Sequence, residues 1–260
     1  MQFTPIGVFR CAEQYPYDAA RQAVLGENLG VVHLDKGRRL VEALRGLEGF
    51  SHIWLVYLFH QNPKWRPMIQ PPRGRRKVGV FASRSPYRPN PIGISCVGLA
   101  GIDGHELTVQ GHDLLDGTPI IDIKPYLVYA DSFPSATSGW LAEAEKEPLF
   151  AVKIEAAAAE RIAWLAERGV SCLEAFLHRQ LEHDPSNGAR KRIRKLSRAD
   201  GLWEMAYRTW RAPFKIDHDG REVAILNVTS GYSPGDLTDS ADPHKDKALH
   251  RDFIAHFPNQ

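Results

Sequence analysis

The chain has 260 residues, of which 43% are hydrophobic and 25% are charged, a composition typical of a globular protein with one large domain or one domain plus a smaller one. It contains no apolar run near the ~20 residues that a membrane span needs, and no N-terminal signal-peptide pattern. The three cysteines (Cys11, Cys96 and Cys172) lack metal-binding spacing, which predicts a reducing, cytoplasmic setting without disulfides or a bound metal.

Two stretches carry most of the local positive charge. The net charge is only +2, but basic residues gather near positions 73–77 and 190–198. Such patches on a near-neutral chain favour a polyanion that is bound and then released, and a solvated charged face is the alternative for either patch. The residues are Arg73, Arg75, Arg76 and Lys77, and then Arg190, Lys191, Arg192, Arg194, Lys195 and Arg198.

The first half of the chain has the pattern of a β protein. Short apolar runs are separated by Gly and Pro, and Asp103–Gly104 between two of them is a hairpin signal. No glycine-rich nucleotide-binding fingerprint occurs, so the pattern favours a β-barrel or sandwich, not a Rossmann sheet, over residues 1–137. The predicted strands are Phe3–Phe9, Val31–Leu34, His52–Phe59, Val78–Ala82, Ile94–Leu99, Glu106–Gln110 and Ile120–Val128.

After a Ser/Pro/Gly-rich linker at 131–148, the pattern becomes mixed. We expect a smaller α+β C-terminal domain over 150–229 and an extension over 230–260 that contains an amphipathic helix. The predicted elements are a helix over Ala156–Arg168, a second helix from a Ser171 cap to before Pro185, and a hairpin of Glu204–Ile216 with Glu222–Val228.

The last helix is predicted to dock through an apolar stripe, since Leu249, Phe253 and Phe257 recur every four residues. Three histidines in this region are six residues apart and do not share a helix face. We therefore predict that they are surface residues and not metal ligands. They are His244, His250 and His256.

The segment VGVFASRSPYRPNPIGIS (Val78–Ser95) holds three prolines between two strand-like runs, a spacing incompatible with a helix or a central strand. Prolines reduce the entropy that is lost when a loop is ordered. We therefore expect Arg84 and Arg88 to be held ready for a ligand. The alternative is a rigid surface loop whose arginines bond neighbouring carbonyls.

Three other segments carry candidate chemistry. Asp116-Gly117-Thr118-Pro119 is a turn by composition, in which the Asp contacts a ligand or caps its own turn. In the strand that follows, Asp122 and Lys124 alternate with isoleucines, which predicts a buried ion pair or part of a site. Paired carboxylates and a serine-nucleophile motif are absent from the sequence, which counts against hydrolysis. The remaining segments are Ala20-Arg21-Gln22 and Phe59-His60-Gln61.

In combination, these segments resemble the TrmO family of S-adenosylmethionine-dependent tRNA N6-threonylcarbamoyladenosine methyltransferases. The resemblance is strong over residues 1–137, weaker in the C-terminal domain, and absent from about Ser230 onward. It rests on the ordered motifs LEGFSHIWLVYLFHQ (Leu47–Gln61), VGVFASRSPYRPNPIGIS (Val78–Ser95) and LLDGTPIIDIKPYLVYADS (Leu114–Ser132), with RQLEHDP (Arg179–Pro185) and YRTWRAPFKI (Tyr207–Ile216) later.

The resemblance implies a non-Rossmann β-barrel enzyme, a homodimer whose S-adenosylmethionine pocket includes the dimer interface. Its substrate would be threonylcarbamoyladenosine beside the anticodon of threonine-decoding tRNA, which the C-terminal domain would help to hold. By match, the cofactor contacts would be Arg21, Gln22, His60, Gln61, Arg84, Ile94, Asp116, Gly117, Thr118 and Pro119.

The implied chemistry is the in-line positioning of N6 against an electrophilic methyl group, with no metal. Our candidates for polarising or accepting the N6 proton are Asp116, Asp122 and Lys124. Arg84 and Arg88 would pair with the carboxylate of the cofactor or of the threonyl group. The candidate RNA-binding residues are Arg88, Arg190, Lys191, Arg192 and Arg194.

The chain departs from the family pattern at two places. Ala20 replaces a proline before Arg21, and Ser186-Asn187 replaces the family's Arg-Pro after Asp184-Pro185. Two other functions stay open at this stage. One is methylation of another RNA base or a small molecule. The other is a non-catalytic β-barrel RNA-binding module, whose mark would be clustered exposed aromatic residues.

Overall fold

The computed structural model describes residues 3–16, 18–20, 22–23, 28–62, 64–71, 76–144, 148–186, 192–197 and 201–258. The chain forms two compact units, Met1–Glu147 and Pro148–Gln260. None of the described helices has the length and apolar composition that crossing a bilayer requires.

The first unit is built on a closed, six-stranded antiparallel barrel in the order β1-β2-β7-β6-β3-β8, which confirms the predicted barrel. A two-stranded ribbon, β4-β5, stands apart from it. The strands are β1 (Gly7–Arg10), β2 (Leu29–Leu34), β3 (His52–Leu58), β4 (Met68–Ile69), β5 (Val78–Gly79), β6 (Ile92–Asp103), β7 (Glu106–Gln110) and β8 (Pro119–Pro125). The short helices are α1 (Leu40–Ala43), α2 (Val128–Asp131) and α3 (Leu141–Ala144), with 3₁₀ turns at Leu47–Gly49 and Val80–Ala82.

Alternate side chains of the strands point inward and fill the interior of the barrel. In β3, Ile53, Leu55 and Tyr57 are buried while the residues between them are not, as expected when successive side chains point to opposite faces. Val97 of β6 and Val109 of β7 join the same core. The hydrophobic effect thus fixes the register of each strand, because a slip of one residue would expose these side chains.

Strand β8 contains a bulge that changes which of its residues face the core. Val56 of β3 pairs with Asp122, but the next residue, Tyr57, pairs with Ile120. Ile121 is therefore extra, and the alternation restarts after it. As a result Ile120 is fully buried, Ile123 packs against the core, and Asp122 and Lys124 face outward.

The second unit contains a mixed sheet in the order β10-β11-β12-β13-β9, with β14 pairing to β12. Strands β13 and β9 are parallel and the other pairs are antiparallel. The elements are β9 (Ala151–Ile154), α4 (Ala156–Ala166), α5 (Leu173–Leu181), β10 (Ile193–Lys195), β11 (Leu202–Tyr207), β12 (Trp210–Asp217), β13 (Glu222–Ile225), β14 (Thr229–Ser230), α6 (Pro234–Thr238) and α7 (Lys247–His256).

The segment 230–260, which the sequence analysis set apart as an extension, is part of this second unit. Helix α7 packs through Phe253, which is fully buried and lies 4.9 Å from the Trp210 ring. Phe257 is also buried, so the predicted apolar stripe does dock the helix. The segment is separate in sequence pattern but completes the hydrophobic core of this unit.

The prediction that all three C-terminal histidines lie on the surface is wrong for His250, which is fully buried. Its ring stacks on Trp210 with centroids 3.7 Å apart and planes at 10°. The six-residue spacing relates the histidines only to one another and not to the apolar residues of the same helix. His250 shares a face with Phe253 and Phe257, three and seven residues on, and that face is the buried one.

Candidate functional site

One end of the barrel opens into a cavity of about 320 Å³. Most of its wall is apolar, and a few polar side chains converge on it, which is the usual character of a small-molecule site. The residues that line it come from the β1–β2 loop, β3, β6, the loops that flank β3 and β6, and the segment before β8. They are Pro16, Ala19, Ala20, Tyr57, Leu58, Phe59, His60, Gln61, Asn62, Ser83, Arg84, Pro86, Arg88, Ile92, Gly93, Ile94, Asp113, Leu114, Leu115 and Thr118.

Arg84 and Gln22, which are 62 residues apart, meet at this cavity. Arg84 lines it and donates a hydrogen bond of 2.8 Å from its guanidinium to Gln22 Oε1. This bond uses one nitrogen of the guanidinium, Nη1, and the planar fork of the group suits a carboxylate. The neighbouring Arg21 lies outside the described residues. Two of the predicted cofactor contacts are therefore brought together by the fold.

Arg88 behaves differently from Arg84, although both line the cavity. Its guanidinium donates to the carbonyls of Val80, at 3.2 Å, and Ser83, at 2.9 Å. Ser83 Oγ also donates to Val80 O at 2.8 Å. The carbonyl-bonding role that was the alternative for this loop thus applies to Arg88, which fixes the backbone that presents Arg84.

The end of β3 places His60 and Gln61 at the cavity, opposite Thr118. The His60 Nδ1 atom lies 3.5 Å from Thr118 Oγ1, whose own proton goes to Leu115 O at 2.7 Å. Burial lowers the pKa of His60 below its ordinary value, against a smaller opposing effect of Asp116. The imidazole is therefore neutral at physiological pH and presents a polar edge without charge.

Asp116 and Gly117 shape the cavity without lining it. Asp116 accepts from the Arg10 guanidinium at 3.2 Å and from the Cys11 backbone amide at 3.3 Å. Gly117 has φ of 77°, a conformation that favours glycine, and its amide donates to Phe9 O at 2.8 Å. Together these bonds tie the turn to β1. Pro119 begins β8 and pairs with Val8.

Asp122 and Lys124 are not among the residues that line the cavity. They form an ion pair of 2.8 Å on the outer face of β8, with side chains 48% and 64% exposed. Of the two alternatives that the isoleucine alternation left open, the buried ion pair is wrong, because the bulge at Ile121 turns both side chains outward.

The structure adds a set of polar residues that the sequence analysis missed. Asp113 lines the cavity and accepts a short hydrogen bond from Ser95 Oγ. Ser95 Oγ lies 3.1 Å from the Tyr57 hydroxyl, which must be the donor because the Ser95 proton is already engaged. A Cβ on Gly93 would lie 2.4 Å from the Tyr57 ring, so glycine is required there. The one indication in the sequence that Asp113 belongs to a site is its position shortly after the predicted strand Glu106–Gln110.

A second buried polar cluster lies beside β1 and outside the cavity lining. Glu13 accepts from Asn28 Nδ2 at 2.7 Å, and its Oε2 lies 3.7 Å from His112 Nε2. With the Cys11 thiol, these groups form three potential metal ligands within 4.8 Å of one another. Burial raises the pKa of the Cys11 thiol, which keeps it protonated. That the protein needs no metal stays a prediction.

The candidate RNA-binding residues lie in the second unit, apart from Arg88. Arg194, on β10, donates to Glu204 Oε1 at 2.7 Å, and that carboxylate also lies 3.8 Å from Arg211 Nε. Arg192 precedes the strand. Arg190 and Lys191 fall outside the described residues. The part of this basic cluster that the structure describes is thus partly neutralised by Glu204.

The chain matches known proteins over most of its length. A family model described as the tRNA-methyltransferase O N-terminal domain matches residues 8–132. A tRNA (adenine(37)-N6)-methyltransferase of Escherichia coli is 39% identical over 199 residues, which cover 73% of this chain and 84% of that protein. A Pyrococcus abyssi protein named "Probable S-adenosyl-L-methionine-binding protein" is 39% identical over 140 residues, covering 54% of this chain and 75% of that protein.

A crystal structure of TrmO from Pseudomonas aeruginosa superposes with a TM-score of 0.61 at 30% identity, covering 88% of this chain and 98% of that one. The closed barrel, its cavity and these relatives define an S-adenosylmethionine-dependent methyltransferase that is built without a Rossmann sheet. The chain belongs to the TrmO family of tRNA methyltransferases.

Proposed function

We propose that the chain transfers a methyl group from S-adenosylmethionine to N6 of the threonylcarbamoyl-modified adenosine at position 37, beside the anticodon of threonine-decoding tRNA. The observation that carries the proposal is that His60, Arg84 and Thr118 line one cavity and that Gln22 bonds Arg84, since these are residues matched to cofactor contacts in the family. Membership of the family supports the reaction and the position of the base.

The cavity fits the cofactor by its chemistry. Arg84 offers a bidentate cation for the amino-acid carboxylate, and the apolar wall from Leu58, Phe59 and Leu115 suits a purine face. His60 and Gln61 add hydrogen-bonding edges. When bound, S-adenosylmethionine supplies an electrophilic methyl group on a sulfonium centre. The task of this chain is therefore to hold and orient the reacting groups and to exclude water.

The threonyl group of the proposed substrate carries a carboxylate, so the site needs a cationic side chain for it in addition to the one that binds the cofactor. Both Arg84 and Arg88 line the cavity, so one cation is present for each of the two carboxylates, that of the cofactor and that of the threonyl group. Arg88 reaches its ligand with the guanidinium donors not used on the loop carbonyls. We propose that this second cation selects the modified over the unmodified base.

The activity is tested by mass spectrometry of tRNA nucleosides. Deletion of the gene should abolish methylated threonylcarbamoyladenosine in threonine-decoding tRNA, and the gene on a plasmid should restore it. A plasmid encoding Arg84→Ala is the matched comparison. Unchanged methylated nucleoside in the deletion strain would exclude the proposed activity, while a different missing nucleoside would reassign the substrate.

We also propose that the protein is a cytoplasmic homodimer. Ile94, on the cavity wall, is 50% exposed, Ile92 beside it is 37% exposed, and Phe81 on the adjoining loop is 76% exposed. A second copy that covers these side chains would remove apolar area from water and close the cavity. Light scattering should give twice the monomer mass, and Ile94→Glu should halve it.

The basic residues of 190–194 are proposed to contact the tRNA backbone. Replacing Arg190, Lys191 and Arg192 together by alanine should weaken tRNA binding in a salt-dependent way, because fewer counterions are released. The affinity for S-adenosylmethionine should stay the same. Equal tRNA affinity in this variant and the wild type would return the cluster to a solvated charged face.

A further inference from the structure

Asp113 is the only carboxylate among the described residues that line the cavity. The carboxylates that sequence reasoning proposed for proton chemistry lie elsewhere. Asp116 is engaged by Arg10 and the Cys11 amide, and Asp122 pairs with Lys124 on the outer face of the barrel. Among the described residues, the cavity wall thus contains one acidic side chain, and it is a different one from those the motifs indicated.

The fold holds the Asp113 carboxylate in a defined orientation. Its Oδ1 atom accepts from Ser95 on β6, and Ser95 accepts from Tyr57 on β3. Both donors point toward Asp113, so the chain of hydrogen bonds ends on its carboxylate as the acceptor. Each donor is on a barrel strand, and groups on such rigid elements are positioned more accurately than groups on loops.

The surroundings of Asp113 tune its basicity. Burial raises the pKa of Asp113 above its ordinary value, and the hydrogen bond from Ser95 opposes this effect. The charged and titratable groups that act on it are Arg84 from the 83–91 loop, His112 in its own segment and, through Ser95, Tyr57 from β3. The base role is carried by the geometry, because a carboxylate held on the cavity wall by Ser95 can accept a proton from a ligand within hydrogen-bond reach.

We propose that Asp113 is the catalytic base that accepts the N6 proton of the target adenosine during methyl transfer. The inference rests on the proposed function. The bond between N6 and the methyl carbon forms as the bond between sulfur and that carbon breaks, and the electron pair of the broken bond stays on sulfur. The N6 proton passes to an oxygen of Asp113, which releases it to solvent after the products leave.

Ser95 and Tyr57 act in this reaction as positioning residues. They do not need to contact the substrate, since each engages the next group in the chain of hydrogen bonds. The rival base is His60, which also lines the cavity and is neutral. If Asp113 is the base, Asp113→Asn removes the dependence of the rate on pH. If His60 is the base, His60→Gln removes it.

The test is single-turnover methylation of purified tRNA at saturating S-adenosylmethionine, measured from pH 4.5 to pH 9. The wild-type rate should rise with pH through the pKa of Asp113 and then level off, because the base works only when ionised.

Asp113→Asn keeps an acceptor for Ser95 but cannot take up a proton. Its rate should fall at least ~100-fold, the usual size of a lost general base, and lose the acid limb. Asp103→Asn, at an exposed carboxylate at the end of β6, is the matched control.

Two further measurements separate a base from a binding or structural residue. Calorimetry should give Asp113→Asn an affinity for S-adenosylmethionine within about threefold of wild type, a change of ~0.7 kcal/mol. Infrared difference spectra of ligand-free wild type and Asp113→Asn should show a carboxyl band that titrates above the ordinary range for aspartate. Circular dichroism at each pH should confirm that both proteins are folded.

Several results would overturn the inference. They are an undiminished rate for Asp113→Asn, a loss of cofactor affinity in that variant, and an acid limb that survives there but disappears in His60→Gln. Failure of the proposed function looks different, because the wild-type protein would then methylate no tRNA at any pH. That result would remove both the function and the inference.

Discussion

The two units of the protein each contain a buried network of hydroxyl groups around one titratable side chain, and the two networks do different things. In the barrel, Tyr57 and Ser95 lead to Asp113, which borders the cavity. In the second unit, Ser230 and Thr209 flank His250, which is fully buried. The chemistry is similar, but the first network borders the cavity described above, whereas none of the residues of the second network is among those that line it.

The hydrogen-bond directions show what the second network is for. Thr209 donates its only hydroxyl proton to Asp246 at 2.6 Å, so His250 Nε2 donates to Thr209 at 2.9 Å. His250 Nδ1 then accepts from Ser230 at 2.8 Å. The neutral imidazole thus joins α7 to β14 and to the turn before β12. A buried titratable group is a candidate for catalysis only where it meets a cavity, and here it stabilises the fold.

The largest expected effect is on catalysis. Arg84→Ala removes the cation that orients the carboxylate at the cavity, and misplacement of a reacting group costs on the order of 100-fold in rate. The methylation rate should fall by at least that factor. The melting temperature should stay near that of wild type, because the hydrogen bond that Arg84 donates to the half-buried Gln22 side chain lies in an exposed setting.

Arg39→Ala, which breaks only an exposed ion pair with Glu42, is the matched control for activity. A large drop in the melting temperature of Arg84→Ala would make Arg84 a structural residue. It would also weaken the contrast between the two networks, since the cavity side chains would then stabilise the fold as well.

The next largest effect is on stability. His250→Ala removes a stacked ring, a buried hydrogen bond with Thr209 and a partly buried one with Ser230, so the free energy of unfolding of the second unit should fall by about 3 kcal/mol. Denaturant unfolding measures this, with the exposed His244→Ala as control. The affinity for S-adenosylmethionine should not change. A weaker cofactor affinity would show that the second unit supports the cavity.

A smaller effect follows from the charge state of His250. Burial lowers the pKa of His250 from its ordinary value of 6.5 to about 4. Between these values the unfolded chain binds a proton and the folded one does not, so stability should fall as the pH drops from 6.5 to 4. Thermal unfolding should show this slope in wild type, and it should be shallower in His250→Ala. Equal slopes would mean that other groups set the acid limit.

The smallest effect is expected for Arg88→Ala. Its guanidinium holds the carbonyls of Val80 and Ser83, so the loop should loosen at a cost of about 1 kcal/mol. Hydrogen exchange over residues 80–92 should increase. Methylation should fall less than in Arg84→Ala. A larger loss of activity in Arg88→Ala than in Arg84→Ala would reverse the roles that we give these arginines.

The sequence predicts local structure well where one signal decides it. Strand β7 has the predicted bounds, Glu106–Gln110, because an alternating run is bounded by turn residues. Strand β6 is longer than predicted, since its bulge between Leu99 and Gly101 lets pairing continue. The sequence pattern did not predict the bulge in β8, and for that reason it did not predict that Asp122 faces outward.

The site was predictable only in part, for a physical reason. Arg84, His60 and Thr118 lie in long, unusual motifs that carry the family resemblance, and the fold brings them to one cavity. Asp113 has no such local signal, because its role arises from a contact with Ser95, 18 residues earlier in the chain. Likewise, the burial of His250 depends on Trp210, to which no sequence spacing connects it.

The most direct test of the central claim, that this barrel cavity holds S-adenosylmethionine through Arg84, is calorimetric titration of ligand-free protein with the cofactor. We expect saturable binding at one site per chain for the wild type, much weaker binding for Arg84→Ala, and wild-type binding for the Arg39→Ala control. No binding by the wild type, or the same affinity in Arg84→Ala, would contradict it.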